Sequence, residues 1–239
     1  MEIRSVAMPQ DPPKDICLAL VADLHSKVPK GLMEALEERK PNAVLLTGDV
    51  VHSKGNDEAG LRFLRECSSR FLTICSLGNH EFKYGADFRA DIRKSGAVLL
   101  DDRYIRVGDL VIGGLTSGFA GQAQSTFHKT PKPHTEWLDG FCRQKGYRIL
   151  LSHHPEYFHF LKKYDIDLIL SGHAHGGQWR IFGIPIFAPG QGLFPRYTSG
   201  FYENKMFVSR GISNTAPIPR IKNPTELVFF VSEKTEKKA

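Results

Sequence analysis

The chain has 239 residues, of which 41% are hydrophobic and 24% are charged. These proportions are those of an ordinary globular protein, so they exclude a fibrous or disordered class. The longest apolar runs, 16–22 and 227–231, are far shorter than the ~20 residues that a transmembrane helix needs. The sequence as given therefore predicts a soluble, cytoplasmic chain, with peripheral membrane association or a trimmed N-terminal anchor or signal as the alternatives.

The formal net charge of +6 at pH 7 favours an anionic partner. A nucleotide, a nucleic acid and an acidic membrane surface all meet that description. The length fits one α/β domain, so we expect a single domain over residues 1–239. Residues 1–14 form an N-terminal strand and a proline-rich connector in this interpretation, and residues 232–239 form a solvated basic tail.

The first part of the chain alternates apolar runs with amphipathic segments, which is the pattern of strands and helices in an α/β fold. The predicted elements are a strand at 2–7, a strand at 16–21, a helix at 31–40, a strand at 43–46, a helix at 58–68, a strand at 72–77 and a helix that carries Phe88 and Ile92 and ends at Gly96. The unbroken apolar run 16–21 is typical of a strand that is buried on both faces.

After Gly96 the predicted strands are shorter, and we expect antiparallel or mixed pairing in a second sheet. The predicted elements are strands at 97–100, 104–107, 110–115 and 148–151, a helix at 155–163, a strand at 166–170 and closing strands at 180–182, 206–208 and 226–231. Two stretches without periodicity, 117–133 and 184–200, are long enough to be functional loops.

Five short polar segments each follow an apolar run. They are Ala22-Asp23-Leu24-His25, Gly48-Asp49-Val50, Gly78-Asn79-His80-Glu81, Ser152-His153-His154-Pro155 and Gly172-His173-Ala174-His175-Gly176-Gly177-Gln178. Turns that follow strands of an α/β sheet lie at one edge, so residues far apart in sequence can meet there. Oxygen and nitrogen donors without a thiolate suit Mn²⁺, Fe or Zn²⁺. One such residue alone is more often a satisfied polar side chain than a ligand, but five segments in this order predict a two-metal site.

A dinuclear site needs a carboxylate that both cations share, and Asp49 is the candidate for this bridge. The remaining six ligands divide into two sets of three. We assign Asp23, His25 and His175 to one cation, and Asn79, His153 and His173 to the other. His80 follows a ligand and can face a substrate, so it is the candidate acid for the leaving oxygen. Glycines 48, 78, 172 and 176 are expected where two segments approach closely.

Residues outside these segments give weaker indications. Arg196 and Arg220 each follow a proline and could clamp substrate phosphate groups, or they could form ordinary surface ion pairs. His154 could support a ligand, contact the substrate or have no chemical role. Six apolar residues after the last segment could form an apolar lip for an acyl or aromatic group, or pack in the core. They are Phe182, Ile184, Ile186, Phe187, Leu193 and Phe194.

The motif set D-x-H, G-D-x-V, G-N-H-E, H-H-P and G-H-x-H resembles the calcineurin-like metallophosphoesterase superfamily. The resemblance spans residues 23–178. It implies a four-layer αββα sandwich, in which two mixed β-sheets are flanked by helices, and a site with two divalent cations, commonly Mn, Fe or Zn. It also implies hydrolysis of phosphate monoesters, diesters or anhydrides. The seven ligand assignments agree with the pattern of the family.

A finer similarity is to the bacterial YkuE-like and YaeI-like phosphodiesterase branch. It is carried by residues 172–178, 188–197, 208–212 and 219–220. Many members of this branch are membrane-associated or carry a signal, and some relatives act on lipid-linked substrates such as UDP-2,3-diacylglucosamine. The chain departs from the pattern at His52, where an acidic residue is frequent, and at Ala174, where Thr is usual.

The function that these observations predict is hydrolysis of a phosphodiester or a pyrophosphate, with a metal-bridging hydroxide as the nucleophile. The expected substrate is a phosphorylated small molecule or a lipid-linked phosphate. The alternatives are a binding scaffold with weak or no catalysis, and a nuclease. Nucleic acid ranks low because the chain has no long basic stripe with interleaved aromatic residues. The sequence predicts no oligomeric state.

Overall fold

Two six-stranded β-sheets pack face to face at the centre of the computed structural model, which describes residues 1–52, 58–84, 88–118, 130–214 and 219–234. The strands in chain order are β1 (Glu2–Ala7), β2 (Cys17–Val21), β3 (Ala43–Leu46), β4 (Thr73–Ser76), β5 (Val98–Leu100), β6 (Arg103–Val107), β7 (Leu110–Leu115), β8 (Tyr147–Ser152), β9 (Leu168–Ser171), β10 (Arg180–Ile181), β11 (Ile184–Pro185), β12 (Phe187–Ala188), β13 (Gly192–Leu193), β14 (Gly200–Tyr202), β15 (Met206–Val208) and β16 (Glu226–Val231). The helices are α1 (Leu32–Arg39), α2 (Glu58–Ser68), α3 (Glu81–Tyr84), α4 (Phe88–Lys94), α5 (Leu138–Cys142) and α6 (Phe158–Leu161).

Both large sheets are mixed. The first has the strand order β1-β16-β2-β3-β4-β5, and its four strands from β2 to β5 run parallel. The second has the order β14-β15-β9-β8-β7-β6, with four parallel strands between antiparallel edge strands. In each sheet the central parallel strands therefore deliver their carboxyl ends to one edge.

Alternation of side chains along the strands builds the layers of the core. In β2, Leu18 and Leu20 face the space between the two sheets, whereas Ala19 and Val21 face the helices. This is the period of two that an extended chain imposes. Helices α1, α2 and α4 cover the outer face of the first sheet, and α5 and α6 cover the outer face of the second. The result is a four-layer αββα sandwich, as predicted.

Helix α2 shows why the sequence favours helix at this place. Its buried residues Leu61, Leu64 and Cys67 recur at intervals of three, so they form one stripe against the first sheet.

In the described residues no helix combines the length and the apolar character needed to cross a bilayer.

The structure corrects some of the predicted elements. The strand expected at 97–100 in the second sheet is β5, which pairs in parallel with β4 at the edge of the first sheet. The helix expected over 155–163 is a 3₁₀ turn at Pro155–Tyr157 followed by the short helix α6. Helices α3 and α5 were not predicted. The predicted loop 117–133 and the predicted tail 232–239 lie partly outside the described residues, at 119–129 and 235–239.

The core between the sheets gives a first test of this fold. Leu45 of β3 is fully buried there, so the substitution Leu45→Ala should lower the free energy of unfolding by about 2–5 kcal/mol. Denaturant titration measures this change. Ile3→Ala, at a half-exposed position of the edge strand β1, is the matched control and should change the stability by less than about 0.5 kcal/mol. Equal effects of the two substitutions would contradict the assigned core.

Candidate metal centre

The seven proposed ligands all lie just after parallel strands. Asp23 and His25 follow β2, Asp49 follows β3 and Asn79 follows β4 in the first sheet. In the second sheet, His153 follows β8, and the pair His173 and His175 follows β9. All seven side chains are buried. The two sheets thus contribute to one group of polar side chains at the same end of the sandwich.

Hydrogen bonds between the loops fix the relative positions of these residues. The amide of His25 donates to the carbonyl of Asp49 at 2.8 Å. The amide of His173 donates to both carboxylate oxygens of Asp23 at 3.0 and 3.1 Å, which ties the second sheet to the first. The amide of His80 donates to Asp49 Oδ1 at 2.8 Å. The proposed ligands therefore belong to one hydrogen-bonded assembly before any ion is considered.

Five of the seven proposed ligands have a left-handed backbone, which L-residues other than glycine rarely adopt. They are Asp23 (φ 53°), His25 (φ 47°), Asp49 (φ 53°), His173 (φ 64°) and His175 (φ 46°). Such conformations cost of order 1–3 kcal/mol each and persist where the surrounding structure imposes them, most often at functional sites.

Two glycines allow the loops that carry Asp49 and Asn79 to touch. A Cβ at Gly48 would lie 2.2 Å from the amide nitrogen of Gly78, and one at Gly78 would lie 2.3 Å from Asp49 Oδ1. Gly48 also has φ of 93°, a conformation that glycine adopts without steric cost. The close approach predicted for these glycines is confirmed.

Four groups of three side chains in the described part of the chain could each hold a metal ion. One of them combines His52 with His25 and His80, another combines Glu156 with His154 and His173, and the other two consist only of proposed ligands. In one of these last two sets the donor atoms of Asp23, His25 and His175 lie within 4.8 Å of one another, and in the other those of Asp49, His153 and His173 do so. Asn79 joins the second set, since its Oδ1 lies 3.1 Å from His153 Nε2.

Asp49 lies between the two sets. Its Oδ2 atom is 3.1 Å from His153 Nε2 in one set and 3.7 Å from His25 Nε2 in the other. A carboxylate in this position can neutralise charge on both sides, which is what a pair of neighbouring cations requires.

The protonation of the histidines suits a cation site. Burial lowers the pKa of His25 and of His173 well below its usual range, so both imidazoles are neutral and have lone pairs to offer. Among the described residues, neither ring nitrogen of His25 has a hydrogen-bond partner, and His173 Nε2 has none either. Buried polar atoms are normally satisfied, so these orphaned nitrogens fit a bound metal ion.

The electrostatics of Asp49 point the same way. Burial raises the pKa of its carboxyl group, but the positive charges of His153 and His80 outweigh burial and hold it well below the usual range. Burial also acts to lower the pKa of His153, and the charge of Asp49 raises it to about 9 instead. The ionised carboxylate thus attracts positive charge, and a divalent cation would replace the proton on His153.

Glu81 of the G-N-H-E motif is a buried residue of the candidate site that sequence reasoning did not select. Its buried carboxylate accepts hydrogen bonds from the amides of Gly78 (2.7 Å), Asp49 (2.9 Å) and Val50 (2.8 Å). Burial and the charge of Asp49 raise the pKa of Glu81 to about 7. Glu81 therefore holds together the loops after β3 and β4.

His80 lies at the more open side of the group. Its side chain is partly exposed, and its Nε2 is 4.0 Å from Asp49 Oδ2. On the other side of the ring, its Nδ1 lies 3.3 Å from His52 Nδ1. The residue at which the chain departs from the family pattern, His52, is therefore a direct neighbour of the proposed acid.

Of the three weaker candidates, Arg220 and His154 contact proposed ligands and Arg196 is placed elsewhere. Arg220 contacts His175 Nδ1 at 3.0 Å and donates to the carbonyl groups of Arg210 and Ser213, so it belongs to the site. The ring of His154 packs against that of His173, with centroids 4.3 Å apart. Arg196 is exposed, and its guanidinium group lies over the ring of Tyr197.

Hydrogen bonds attach His154 and His175 to residues that sequence reasoning did not select. His154 Nε2 lies 2.7 Å from Ser117 Oγ, and its Nδ1 lies 3.4 Å from the carboxylate of Glu156. The side-chain amide of Asn223 donates to the carbonyl of His175 at 2.7 Å. No motif surrounds Ser117 or Asn223, so no signal in the sequence could have identified them.

The role of Glu81 can be tested through stability. Glu81→Ala removes the acceptor of three short backbone hydrogen bonds in a buried region, so it should lower the free energy of unfolding by about 2–4 kcal/mol. Glu81→Gln keeps one acceptor oxygen and should cost less. The exposed Glu38→Ala is the control and should be neutral within about 0.5 kcal/mol in the same denaturant titration. A neutral Glu81→Ala would show that the loops do not depend on this carboxylate.

Comparison with known proteins identifies a family and several similar sequences. Residues 18–177 match the family model described as calcineurin-like phosphoesterase. The chain is 26% identical over 230 residues to the uncharacterized metallophosphoesterase Cj0846 of Campylobacter jejuni, covering 91% of this chain and 59% of that protein. It is 26% identical to the uncharacterized metallophosphoesterase YkuE of Bacillus subtilis (86% and 73% covered) and 28% identical to the phosphodiesterase YaeI of Escherichia coli (82% and 75% covered).

The family match covers the first four of the five polar segments completely and extends through His173 and His175 of the fifth. The chain spans somewhat over half the length of the Campylobacter jejuni protein. Since the matching segment extends over more than half of this chain, the chain belongs to the calcineurin-like phosphoesterase family.

Proposed function

We propose that this chain is a metal-dependent hydrolase of phosphoester bonds that uses two divalent cations, with Mn, Fe or Zn as the candidate metals. The observation that carries the proposal is the position of the buried Asp49 carboxylate between two sets of donor atoms, each within 4.8 Å. The donors are oxygen and nitrogen atoms, which these metals accept in hydrolytic sites. Asp23, His25 and His175 would hold one cation, Asn79, His153 and His173 the other, and Asp49 would contact both.

The bound cations would supply acidified water and a polarised phosphoryl group. The protein's own part is to bury the ligands, keep His25 and His173 neutral and fix the orientation of the side chains. The Nδ1 atom of His153, for example, lies 2.9 Å from the carbonyl oxygen of Thr47, so this bond directs Nε2 towards Asp49. Preformed ligands of this kind need little rearrangement when the substrate binds.

His80 would donate a proton to the leaving oxygen. Its side chain is partly exposed, whereas the seven proposed ligands are buried, so His80 can reach a molecule that arrives from solvent. The hydrogen bond from the His80 amide to Asp49 Oδ1 holds His80 beside the proposed metal site. A histidine is suited to this step because its usual pKa lies close to neutrality.

Phosphodiesters and pyrophosphates are the proposed substrates, either as small molecules or linked to a lipid. The support is the positive charge of the chain, the Arg220 side chain at His175 and the printed name of the Escherichia coli relative, a phosphodiesterase. Rates with an aryl monoester, an aryl diester and a nucleotide pyrophosphate, measured side by side, distinguish the classes.

The bridging role of Asp49 predicts a large loss of activity on a conservative change. Asp49→Asn keeps the shape but removes the charge, so turnover of an aryl phosphodiester should fall about 10³-fold or more, and bound metal measured by elemental analysis should fall as well. The exposed Asp139→Asn is the matched control and should retain full activity. Activity of the Asp49 variant near that of the unchanged chain would contradict the proposal.

Metal removal separates an enzyme from a binding scaffold. Prolonged chelation should abolish turnover, and added Mn²⁺ should restore it. A chain that binds no metal and hydrolyses no member of the substrate panel would be a scaffold with this fold.

The acid role of His80 predicts a different pattern. His80→Ala should lower turnover by about 10²–10⁴-fold with little loss of bound metal, because the proton donor is lost while the ligands remain. This loss of turnover should be smaller for diesters with more acidic leaving groups, because such groups leave without receiving a proton. His159→Ala, at an exposed histidine, is the control. A collapse of metal content, or a deficit that does not vary with the leaving group, would show that His80 acts otherwise.

A further inference from the structure

An exposed apolar surface lies on the segment that follows the last proposed ligands. Phe182 is 93% exposed, Leu193 and Phe194 are each 70% exposed, and Ile181, Ile184 and Ile221 are each more than half exposed. The alternative that these residues pack in the core is therefore wrong for Phe182, Ile184, Leu193 and Phe194. Monomeric soluble domains rarely expose so many large apolar side chains together, and such patches mark interaction sites.

Backbone hydrogen bonds join these residues into one surface. Strands β10 and β11 pair in one small sheet, and β12 and β13 pair in another. The amide of Phe194 donates to the carbonyl of Ile186 at 2.9 Å, which links the two small sheets. The amide of Arg180 donates to the carbonyl of Ile221 at 3.0 Å, and this bond joins Ile221 to the same surface. We call residues 179–194 together with Ile221 the apolar ribbon surface.

The apolar ribbon surface is attached to the candidate metal centre. Gly177, two residues after His175, packs so closely on Pro185 of β11 that a Cβ at the glycine would lie 2.4 Å from the proline Cβ. Asn223, two residues after Ile221, donates to the carbonyl of His175. Whatever the surface binds is therefore held at a fixed position next to the site.

The charged residues within the segments that form this surface are all positive, and the carboxylate of Glu156, which is placed against it beside Gly190, is mostly buried. Residues 178–198 and 219–225 contain no Asp or Glu, and they contain Arg180, Arg196, Arg220 and Lys222. Arg196 and Lys222 are exposed and directly flank the apolar residues, two positions after Phe194 and one after Ile221. Large apolar side chains with exposed cations at their border are the combination that binds the interface of an anionic bilayer.

We propose that the apolar ribbon surface docks onto a bilayer that contains anionic phospholipid. Phe182, Leu193 and Phe194 enter the boundary between headgroups and acyl chains, and Arg196 and Lys222 contact the anionic headgroups. The lack of any carboxylate in these segments favours this occupant over a mixed-charge protein surface. The inference goes beyond the proposed hydrolysis and depends only on the exposed side chains and their charges.

Vesicle co-sedimentation tests the proposal with the full chain. The chain should bind vesicles of equal parts phosphatidylglycerol and phosphatidylcholine, bind phosphatidylcholine alone at least tenfold more weakly, and lose anionic binding as salt increases. The double substitution Phe182→Ser with Phe194→Ser should weaken anionic binding at least tenfold. Ile3→Ser, at a half-exposed apolar position outside the surface, is the matched control and should bind like the unchanged chain. Arg196→Gln with Lys222→Gln should weaken binding severalfold.

Several outcomes would overturn the docking proposal. They are no binding to anionic vesicles, equal binding by the double Phe variant, and equal binding to neutral vesicles. Concentration-dependent dimers that the double Phe variant abolishes would assign the surface to a second copy of the chain and would also overturn it. Circular dichroism checks that the variant is folded.

Activity on a soluble aryl diester separates this proposal from the proposed function. The double Phe variant should keep that activity, because the two phenylalanines lie outside the metal centre. Hydrolysis without vesicle binding would refute the docking alone, and vesicle binding by a chain without hydrolysis would refute the proposed function alone.

Discussion

The candidate site depends on the burial of a carboxylate, Asp49, among imidazoles at the end of the sheets. A buried charge is costly unless it is paired, and here His153 and His80 lower the pKa of Asp49 against the effect of burial. Glu81 accepts the backbone amides of the same loop, so the loop keeps a shape that places Asp49 between the two ligand sets. The left-handed backbone at Asp49 persists because these bonds impose it.

The rest of the fold serves to bring the ligand loops together. Parallel strands in two sheets end at one edge, and the core between the sheets fixes how far apart those ends lie. The hydrogen bonds from the His173 amide to Asp23 join the loops of the two sheets directly. Dense packing of the interior resists small displacements, so the donor atoms keep their distances without depending on a flexible loop.

Most of the strands and helices could be predicted because their signals are local. The bounds of β1, β3, β7, β15, β16 and α2 agree with the predicted ranges. The strand at 97–100 was predicted, but not its sheet, because pairing of β5 with β4 depends on contacts between distant segments. Helix α5 was missed because five residues give too short a periodic pattern to recognise.

The sequence by itself determined the chemical types of the seven proposed ligands, their place after apolar strands and the family to which they point. These properties follow from residue identity and from alternation along the chain. Only the tertiary structure decided that Glu81 and Asn223 hold the loops and that Phe182 and Phe194 face solvent. Those features are long-range: they arise when segments far apart in sequence pack, and no local pattern encodes that packing.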